Sequence, residues 1–199
     1  MPIAPDKLRD WPIKKYNILY VDPPWEIQRG PNNWRTNEDE TWVGHGPDSH
    51  TTKSQALEYP TLPLDDIKAL PVPAITEPDS HLYLWVINHF IAEAYSVAKV
   101  WGFRPVCLLT WIKPKHGIGL GGAFIQTTEH LLFCRRGTLP TLSRYPSTWF
   151  HFQRSKHSEK PNAFRGLIET ISGKLPRIEL FARQRYEGWD AWGNELPEE

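Results

Sequence analysis

Apolar residues recur along the chain in two alternating patterns, short continuous runs and segments with helical spacing. Continuous apolar runs are typical of buried strands, whereas apolar residues every three to four positions indicate a helix with one buried face. The runs predict strands at residues 17–21, 81–87, 105–112, 129–135 and 177–182. The helical spacing predicts helices at residues 90–101 and 161–171, and the prolines at 63 and 71 delimit a third, short helix at 65–70. This alternation predicts an α/β fold, in which a mostly parallel sheet is covered by helices on both faces.

A long polar segment follows the first predicted strand. Residues 26–58 are rich in glycine, asparagine, threonine and histidine and show no periodicity, which predicts a long loop. Its tryptophans alternate with cations, a pattern that suits contact with unstacked nucleotides and equally suits a plain connection. No repeat or linker divides the chain, so we predict a single domain over residues 1–199, with this loop at its active site.

Composition places the chain among globular proteins, because 40% of its residues are hydrophobic and 23% are charged. No apolar run approaches the roughly 18 residues of a membrane span, and the polar N-terminal segment does not resemble a signal peptide. We therefore expect a cytoplasmic protein without membrane association. Cys107 and Cys134 lie inside apolar segments and predict small buried side chains. No metal site is predicted, because no cluster of ligand residues has suitable spacing.

The sharpest motif is Asp22-Pro23-Pro24-Trp25, which directly follows the first predicted strand. Ligands of α/β proteins bind at the carboxyl ends of strands, so Asp22 is expected at a ligand site. The two prolines restrict the backbone and have no N–H, which leaves stiff carbonyl groups as hydrogen-bond acceptors. Trp25 offers a flat face on which an extruded base can stack. The same four residues would also suit a tight turn without a chemical role.

The Asp22 carboxylate and the Pro23 carbonyl supply two acceptors, which match the two hydrogens of a primary amine. The exocyclic N6 amine of adenine is a poor nucleophile, because its lone pair is delocalised into the ring. Hydrogen bonds from both of its hydrogens would draw the nitrogen towards tetrahedral geometry and free that lone pair. Methyl transfer would then require an in-line donor at near-attack distance, and neither a metal nor a covalent enzyme intermediate.

Longer blocks around this motif resemble the seventy-kilodalton-subunit (MT-A type) family of S-adenosylmethionine-dependent adenine-N6 methyltransferases. The matching blocks are YVDPPWEI at 20–27, YPTLPLDDIKALPVP at 59–73, HLYLWV at 81–86, WGFRPVCLLTWIKP at 101–114, TEHLLFCRRG at 128–137, HSEKP at 157–161 and IELFARQRYEGWDAWGNEL at 178–196. The resemblance covers nearly the whole chain. It implies a Rossmann-like methyltransferase fold with a permuted motif order, in which the catalytic motif precedes the main cofactor segments.

The resemblance also implies roles for residues on the substrate side. The tetrapeptide at 22–25 takes the place of the catalytic motif, with Asp22 also beside the cofactor. Tyr59 takes the place of a tyrosine that faces the target base, and Lys160 that of a lysine near both substrates. Lys160 directly precedes a predicted helix, where a cation opposes the positive end of the helix dipole. This unfavourable placement favours a functional role over that of an ordinary surface lysine.

On the cofactor side, the resemblance implies S-adenosylmethionine, with its ribose and carboxylate ends near Arg183, Arg185, Asn194 and Glu195. Arg183 and Arg185 follow the last predicted strand at alternate positions, so we expect both to point to the same side. Two guanidinium groups there suit a carboxylate, a ribose or a phosphate. Arg185 and Glu195 depart from the family's messenger-RNA enzyme, which has histidine and glutamine at these positions.

These features predict methylation of the N6 amine of adenine in DNA, since the family's small bacterial and phage DNA enzymes likewise consist of the bare catalytic domain. The alternatives are the same reaction on RNA, transfer to cytosine N4, and a catalytically silent scaffold that binds nucleic acid or a partner. The formal net charge is +0, whereas proteins that bind duplex DNA alone are usually basic. We therefore expect a homodimer or a heteromeric partner that adds basic surface.

Overall fold

The computed structural model describes residues 8–26, 61–113, 126–153 and 160–197. Nearly all of the predicted loop at 26–58 lies outside these residues, as does Tyr59. The expected roles of the loop and of Tyr59 therefore stay predictions.

The elements of the described residues follow the predicted order. The strands are β1 (Tyr16–Val21), β2 (Thr76–Val86), β3 (Arg104–Ile112), β4 (Thr128–Arg136), β5 (Trp149–His151), β6 (Arg177–Leu180) and β7 (Asp190–Trp192). The helices are α1 (Leu64–Ala69), α2 (Ile91–Val100) and α3 (Ala163–Ser172), and short 3-10 turns lie at Val72–Ile75 and Asn88–Phe90. Every predicted strand and helix is present, and the short strands β5 and β7 are additional.

In the described part of the chain, the strands form one sheet in the order β5-β3-β4-β2-β1-β6-β7. Strand β4 runs antiparallel to its neighbours β2 and β3, whereas the other pairings are parallel. The predicted mostly parallel sheet is thus confirmed. Because β1 lies between β2 and β6, all three parallel, the residues after β1 lie at the carboxyl edge of the central strands.

Helices cover both faces of this sheet, as predicted, and the side chains of β1 alternate between the two cores. Leu19 and Val21 pack on the face covered by α1 and α2. Ile18 and Tyr20 pack on the opposite face, against side chains of α3. Asp22 is the next residue in this alternation, which directs it to the α3 face. This face is also the one on which Lys160 precedes α3.

The last long strand ends earlier than its apolar pattern predicts. β6 stops at Leu180, and Phe181 has a φ of 63°, in the left-handed region that turns the chain away from strand geometry. The N–H of Ala182 then donates to the carbonyl of Trp192, at 2.9 Å. Arg183 and Arg185 therefore lie in an irregular segment beyond β6. The expectation that strand alternation points them to one side is wrong in its premise.

The two cysteines differ in burial. Cys134 is fully buried in β4, as predicted, whereas Cys107 in β3 is only partly buried, and both are free thiols. Burial raises the pKa of the Cys134 thiol to about 12, which keeps the reactive thiolate scarce at neutral pH. The described helices are all too short or too polar to cross a bilayer.

Candidate functional site

Four side chains of alternating charge meet at the carboxyl edge of the central strands. Lys160 Nζ donates to Asp22 Oδ2 at 2.7 Å and lies 3.3 Å from Glu129 Oε2. Lys113 Nζ donates to Glu129 Oε1 at 2.7 Å, which extends the chain of charges. The side chains of Asp22, Glu129, Lys160 and Lys113 are 27%, 16%, 14% and 12% exposed. Asp22 and Lys160 are both predicted from the sequence as site residues, and the structure brings them into direct contact.

The protonation of this network follows from burial and charge together. Burial alone would lower the pKa of Lys160, but the carboxylates of Asp22 and Glu129 outweigh it and raise that pKa. Burial would likewise raise the pKa of Glu129, but Lys160 and Lys113 outweigh it and hold that pKa below its ordinary value. The pKa of Asp22 is raised by burial, against the opposing charge of Lys160. Lys160 is therefore protonated and forms ion pairs with the two carboxylates of Asp22 and Glu129.

Glu129 and Trp85 complete the surroundings of Lys160, and neither was singled out from the sequence as a site residue. The ammonium of Lys160 lies 5.3 Å from the ring centroid of Trp85, a cation–π contact that partly offsets the loss of hydration. Glu129 is the second residue of β4 and directly follows Thr128. The apolar run at 129–135 predicts a strand, but a glutamate at the start of a strand carries no signal of its own.

The backbone of the tetrapeptide forms a tight turn fixed by its own carbonyl groups. The carbonyl of Pro23 accepts from the N–H of Trp25 at 2.9 Å, and that of Pro24 accepts from the N–H of Leu62 at 2.8 Å. A carbonyl oxygen has two lone pairs, so Pro23 keeps the capacity for a second hydrogen bond. The turn that the prolines predict is therefore present, and the role of the Pro23 carbonyl in catalysis stays a prediction.

Trp25 is placed differently from the exposed stacking platform that its position in the motif predicts. Its side chain belongs to the core, and the residue is only 6% exposed. Its Nε1 donates to the carbonyl of Trp85 at 3.0 Å, and its ring stacks on Phe90 with 5.5 Å between centroids. Trp25 also lines a cavity of about 210 Å³, together with Leu62 and His89. In this conformation the indole anchors the turn, and its face is covered by protein.

The residues expected to contact the cofactor lie beyond β6 and β7. Arg183 Nε lies 3.5 Å from Glu195 Oε2, with side chains 34% and 49% exposed, so these two predicted residues form one partly open pair. The charge of Arg183 also acts to lower the pKa of the Asp22 carboxyl, more weakly than the charge of Lys160 does. Arg185 and Asn194 are exposed. The predicted cofactor residues therefore lie on the segments that leave the same end of β6 and β7.

Gly193 allows these two segments to approach each other. A Cβ at this position would lie 2.3 Å from the carbonyl oxygen of Ala182 and 2.7 Å from its nitrogen. No side chain fits in that space, so glycine is required where the chain after β7 crosses the chain after β6. Asn194 and Glu195 follow directly, which fixes their backbone next to Arg183.

The chain matches a known protein family along nearly its whole length. The sequence profile of the family described as MT-A70 matches residues 16–195, from the start of β1 to Glu195. The chain belongs to the MT-A70 family. This MT-A70 protein therefore has the Rossmann-like methyltransferase fold that its resemblance implied, and it is a member of a family of S-adenosylmethionine-dependent adenine-N6 methyltransferases.

Relatives of this MT-A70 protein fall into two groups. It is 33% identical over 190 residues to the type II methyltransferase M.MunI from Mycoplasma sp, covering 94% of this chain and 80% of that protein. It is 26% identical to the N(6)-adenosine-methyltransferase MT-A70-like protein of Drosophila melanogaster and 24% identical to the human N(6)-adenosine-methyltransferase catalytic subunit METTL3. Both matches cover 92% of this chain but only 27% and 29% of those proteins.

Proposed function

We propose that this MT-A70 protein transfers the methyl group of S-adenosylmethionine to the N6 amine of adenine in DNA. The observation that carries the proposal is the contact between Lys160 and Asp22, at 2.7 Å, at the carboxyl edge of the central strands. Two residues that are 138 positions apart meet where ligands of α/β proteins bind, in the family whose members carry out this chemistry. A tight turn without a chemical role would not require the buried lysine.

Asp22 has an acceptor left for the substrate amine. Among the described residues, Lys160 is the donor to this carboxylate, and it occupies Oδ2. Oδ1 and the second lone pair of the Pro23 carbonyl then accept the two amine hydrogens, which frees the nitrogen lone pair for attack. The nitrogen becomes acidic only once it carries the methyl group, so Asp22 orients the amine and need not be a strong base.

Lys160 keeps Asp22 in the acceptor form. Protonation would turn one oxygen of the carboxyl group into a donor and would leave fewer lone pairs to accept hydrogen bonds. Burial favours that neutral acid by raising the pKa of Asp22, whereas the ammonium of Lys160 favours the carboxylate. Glu129 is a second carboxylate beside the ammonium of Lys160, at 3.3 Å. The ammonium of Lys160 therefore opposes the neutralisation of Asp22 that burial favours.

The chemistry of the site residues fits S-adenosylmethionine. The amino-acid carboxylate of the cofactor needs a cation, which Lys160 supplies, and Asp22 lies beside that cation at 2.7 Å. A ribose diol needs mixed donors and acceptors, which the partly exposed pair of Arg183 and Glu195 supplies at the edge of the same cluster. We assign Arg185 and Asn194 to the same cofactor face, on the segments that Gly193 brings together. The bound cofactor supplies an electrophilic methyl group, and these residues orient it.

We assign Tyr59 and Trp25 to the side of the target base. Trp25 acts there through the turn that it anchors, since its ring is packed on Phe90. Tyr59 keeps the role that the family resemblance implies, which is to face the target base. The base must leave its stack to reach Asp22, because an enzyme cannot reach an exocyclic amine inside a duplex.

The choice of DNA over RNA rests on extent of similarity. The chain is 33% identical to the type II methyltransferase, a DNA enzyme, and 26% and 25% identical to two of the adenosine methyltransferases. The test is incubation with labelled S-adenosylmethionine and matched DNA and RNA oligonucleotides, followed by mass spectrometry of the digested product. We expect N6-methyladenine in DNA. Label confined to RNA would overturn the choice of DNA, and N4-methylcytosine would overturn the choice of adenine.

We also propose that the active form contains a second subunit. The formal net charge of +0 provides little long-range attraction for a polyanion, so a second copy or a basic partner would add the missing surface. Light scattering after size exclusion, with and without a DNA oligonucleotide, measures the stoichiometry. A monomer that binds DNA with high affinity at physiological salt would contradict this proposal.

A further inference from the structure

A second buried ion pair lies beside the first, at the start of α3. Arg165 donates to Glu179 through Nε at 2.9 Å to Oε2 and through Nη2 at 2.7 Å to Oε1, and the two side chains are 10% and 11% exposed. Glu179 lies on β6, directly opposite Tyr20 of β1 in the parallel register. This fork holds the first turn of α3 against the strand that adjoins β1.

The third nitrogen of the same guanidinium reaches the turn that carries Lys160. Arg165 Nη1 donates to Asn162 Oδ1 at 2.7 Å. Asn162 precedes the first residue of α3, and its side chain does not cap the helix. The side chain of Asn162, two residues after Lys160, is instead held by Arg165. Any shift of Asn162 would move the backbone from which the Lys160 side chain reaches Asp22.

The face of the guanidinium also contacts the segment on the cofactor side. Arg165 Cζ lies 3.5 Å from the ring centroid of Tyr186, a close stacked contact. Tyr186 directly follows Arg185 and belongs to the irregular chain after β6. A second aromatic ring, that of Tyr20, lies 5.4 Å away on β1. One side chain thus contacts the turn before α3, strand β6 and the segment after β6.

We propose that Arg165 is a positioning residue that holds Lys160 against Asp22 and keeps the segment at Arg185 and Tyr186 in register with it. Arginine suits this role because its planar fork binds a carboxylate with two bonds, leaves a third nitrogen free to donate, and stacks its face on an aromatic ring. Lysine offers one point charge and can keep the ion pair while losing the other two contacts. The inference rests on the proposed function only for its kinetic readout.

The test compares Arg165→Lys with the wild type and with a control in the same helix. Ser172→Ala is the control, because Ser172 is buried at the far end of α3, where its hydroxyl bonds His81 at 2.7 Å and Tyr83 at 2.8 Å. Reactivity of the Lys160 amine towards an acylating reagent, read by mass spectrometry, reports whether Lys160 remains held. Melting temperature, kcat and the Kd for S-adenosylmethionine are measured on the same samples.

We expect the reagent to acylate Lys160 several-fold faster in Arg165→Lys than in the wild type. We also expect kcat to fall by about ten- to hundredfold, since misplacement by about 1 Å can cost about a hundredfold. Ser172→Ala should lower the melting temperature and leave Lys160 protected. Wild-type protection of Lys160 in folded Arg165→Lys would overturn the proposal.

A second variant keeps the proposal testable if Arg165→Lys fails to fold. Arg165→Met with Glu179→Gln removes both charges together, so that neither is left buried and unpaired. We expect this double variant to fold and to expose Lys160 to acylation, and unchanged protection would again overturn the proposal. The acylation readout does not need methyl transfer. A wild type that transfers no methyl group, with Lys160 released in Arg165→Lys, would remove the proposed function and leave the positioning role standing.

Discussion

Replacing Lys160 by methionine tests whether the buried lysine holds the charge network together. Methionine keeps an unbranched apolar side chain of similar length beside Trp85, and it removes the charge. The substitution leaves the carboxylate of Asp22 without the donor that lies 2.7 Å away. Glu129 loses one cation and keeps Lys113, at 2.7 Å. Asp22 therefore carries most of the expected cost.

The size of this cost follows from the burial of the pair. Removing one partner of a fully buried ion pair costs about 3–5 kcal/mol, because the other charge is left unpaired. The side chain of Asp22 is 27% exposed, which lets water reach the orphaned carboxylate and favours the lower end, about 3 kcal/mol. In a chain of this length, 1 kcal/mol shifts the melting temperature by about 2–4 °C. We therefore expect Lys160→Met to lower it by about 6–12 °C.

Calorimetry of the cofactor-free protein at neutral pH measures this shift. In the double variant Lys160→Met with Asp22→Asn, both charges are absent, so the loss should be at least about 1 kcal/mol smaller than the sum of the single losses. Lys174→Met is the matched control, because its ammonium is 3.9 Å from Glu169 and its side chain is 78% exposed. A melting temperature for Lys160→Met as close to the wild type as that of the control would refute the reasoning.

Three further variants address the rest of the site and the fold. Asp22→Asn removes the charge of the acceptor with little change of shape, and we expect methyl transfer in a labelled-cofactor assay to fall about 10²–10³-fold while the far-UV spectrum stays unchanged. Gly193→Ala would place a Cβ 2.3 Å from the carbonyl oxygen of Ala182, so we expect a loss of about 1–3 kcal/mol in denaturant unfolding, with weaker S-adenosylmethionine binding by calorimetry. Burial, assisted by the charge of Arg135, lowers the pKa of His81, so its contribution to stability is full above the ordinary value of 6.5 and falls as the pH drops below it. Denaturant midpoints between about pH 5 and pH 7.5 should therefore decline towards acid in the wild type and less steeply in His81→Gln, and parallel curves would contradict this account.

The sequence predicts the parts of this fold that depend on local pattern. β1 and α3 are found within one or two residues of their apolar runs, and Gly173 has a φ of 83° at the end of α3. β5 and β7 have three residues each and form only because a distant strand pairs with them, so their own residues carry no pattern. The early end of β6 depends on a phenylalanine with positive φ, which no sequence rule anticipates.

The site could be predicted only as far as each residue carries its own signal. Asp22 stands out because a polar residue directly follows a buried strand, and Lys160 because a cation precedes a helix. The burial of Trp25 gives no such signal, since an aromatic residue after two prolines suits an exposed platform as well as an anchor. Its actual role depends on Phe90 and on the carbonyl of Trp85, which the fold brings beside it.

Glu129 shows most clearly how topology decides the chemistry of the site. In a parallel sheet, the residues that follow the strands meet at the carboxyl edge, so ligand-binding residues are expected directly after each strand. β4 is antiparallel to β2 and β3, which brings the beginning of β4 to that same edge. Glu129 pairs in register with Trp111, near the end of β3. Lys113 follows Trp111 by two residues. A parallel β4 would place Glu129 at the opposite edge of the sheet, and Lys160 would then have one buried carboxylate instead of two. The reversal of this single strand therefore supplies the second acid, which balances the lysine and allows it to remain charged beside Asp22.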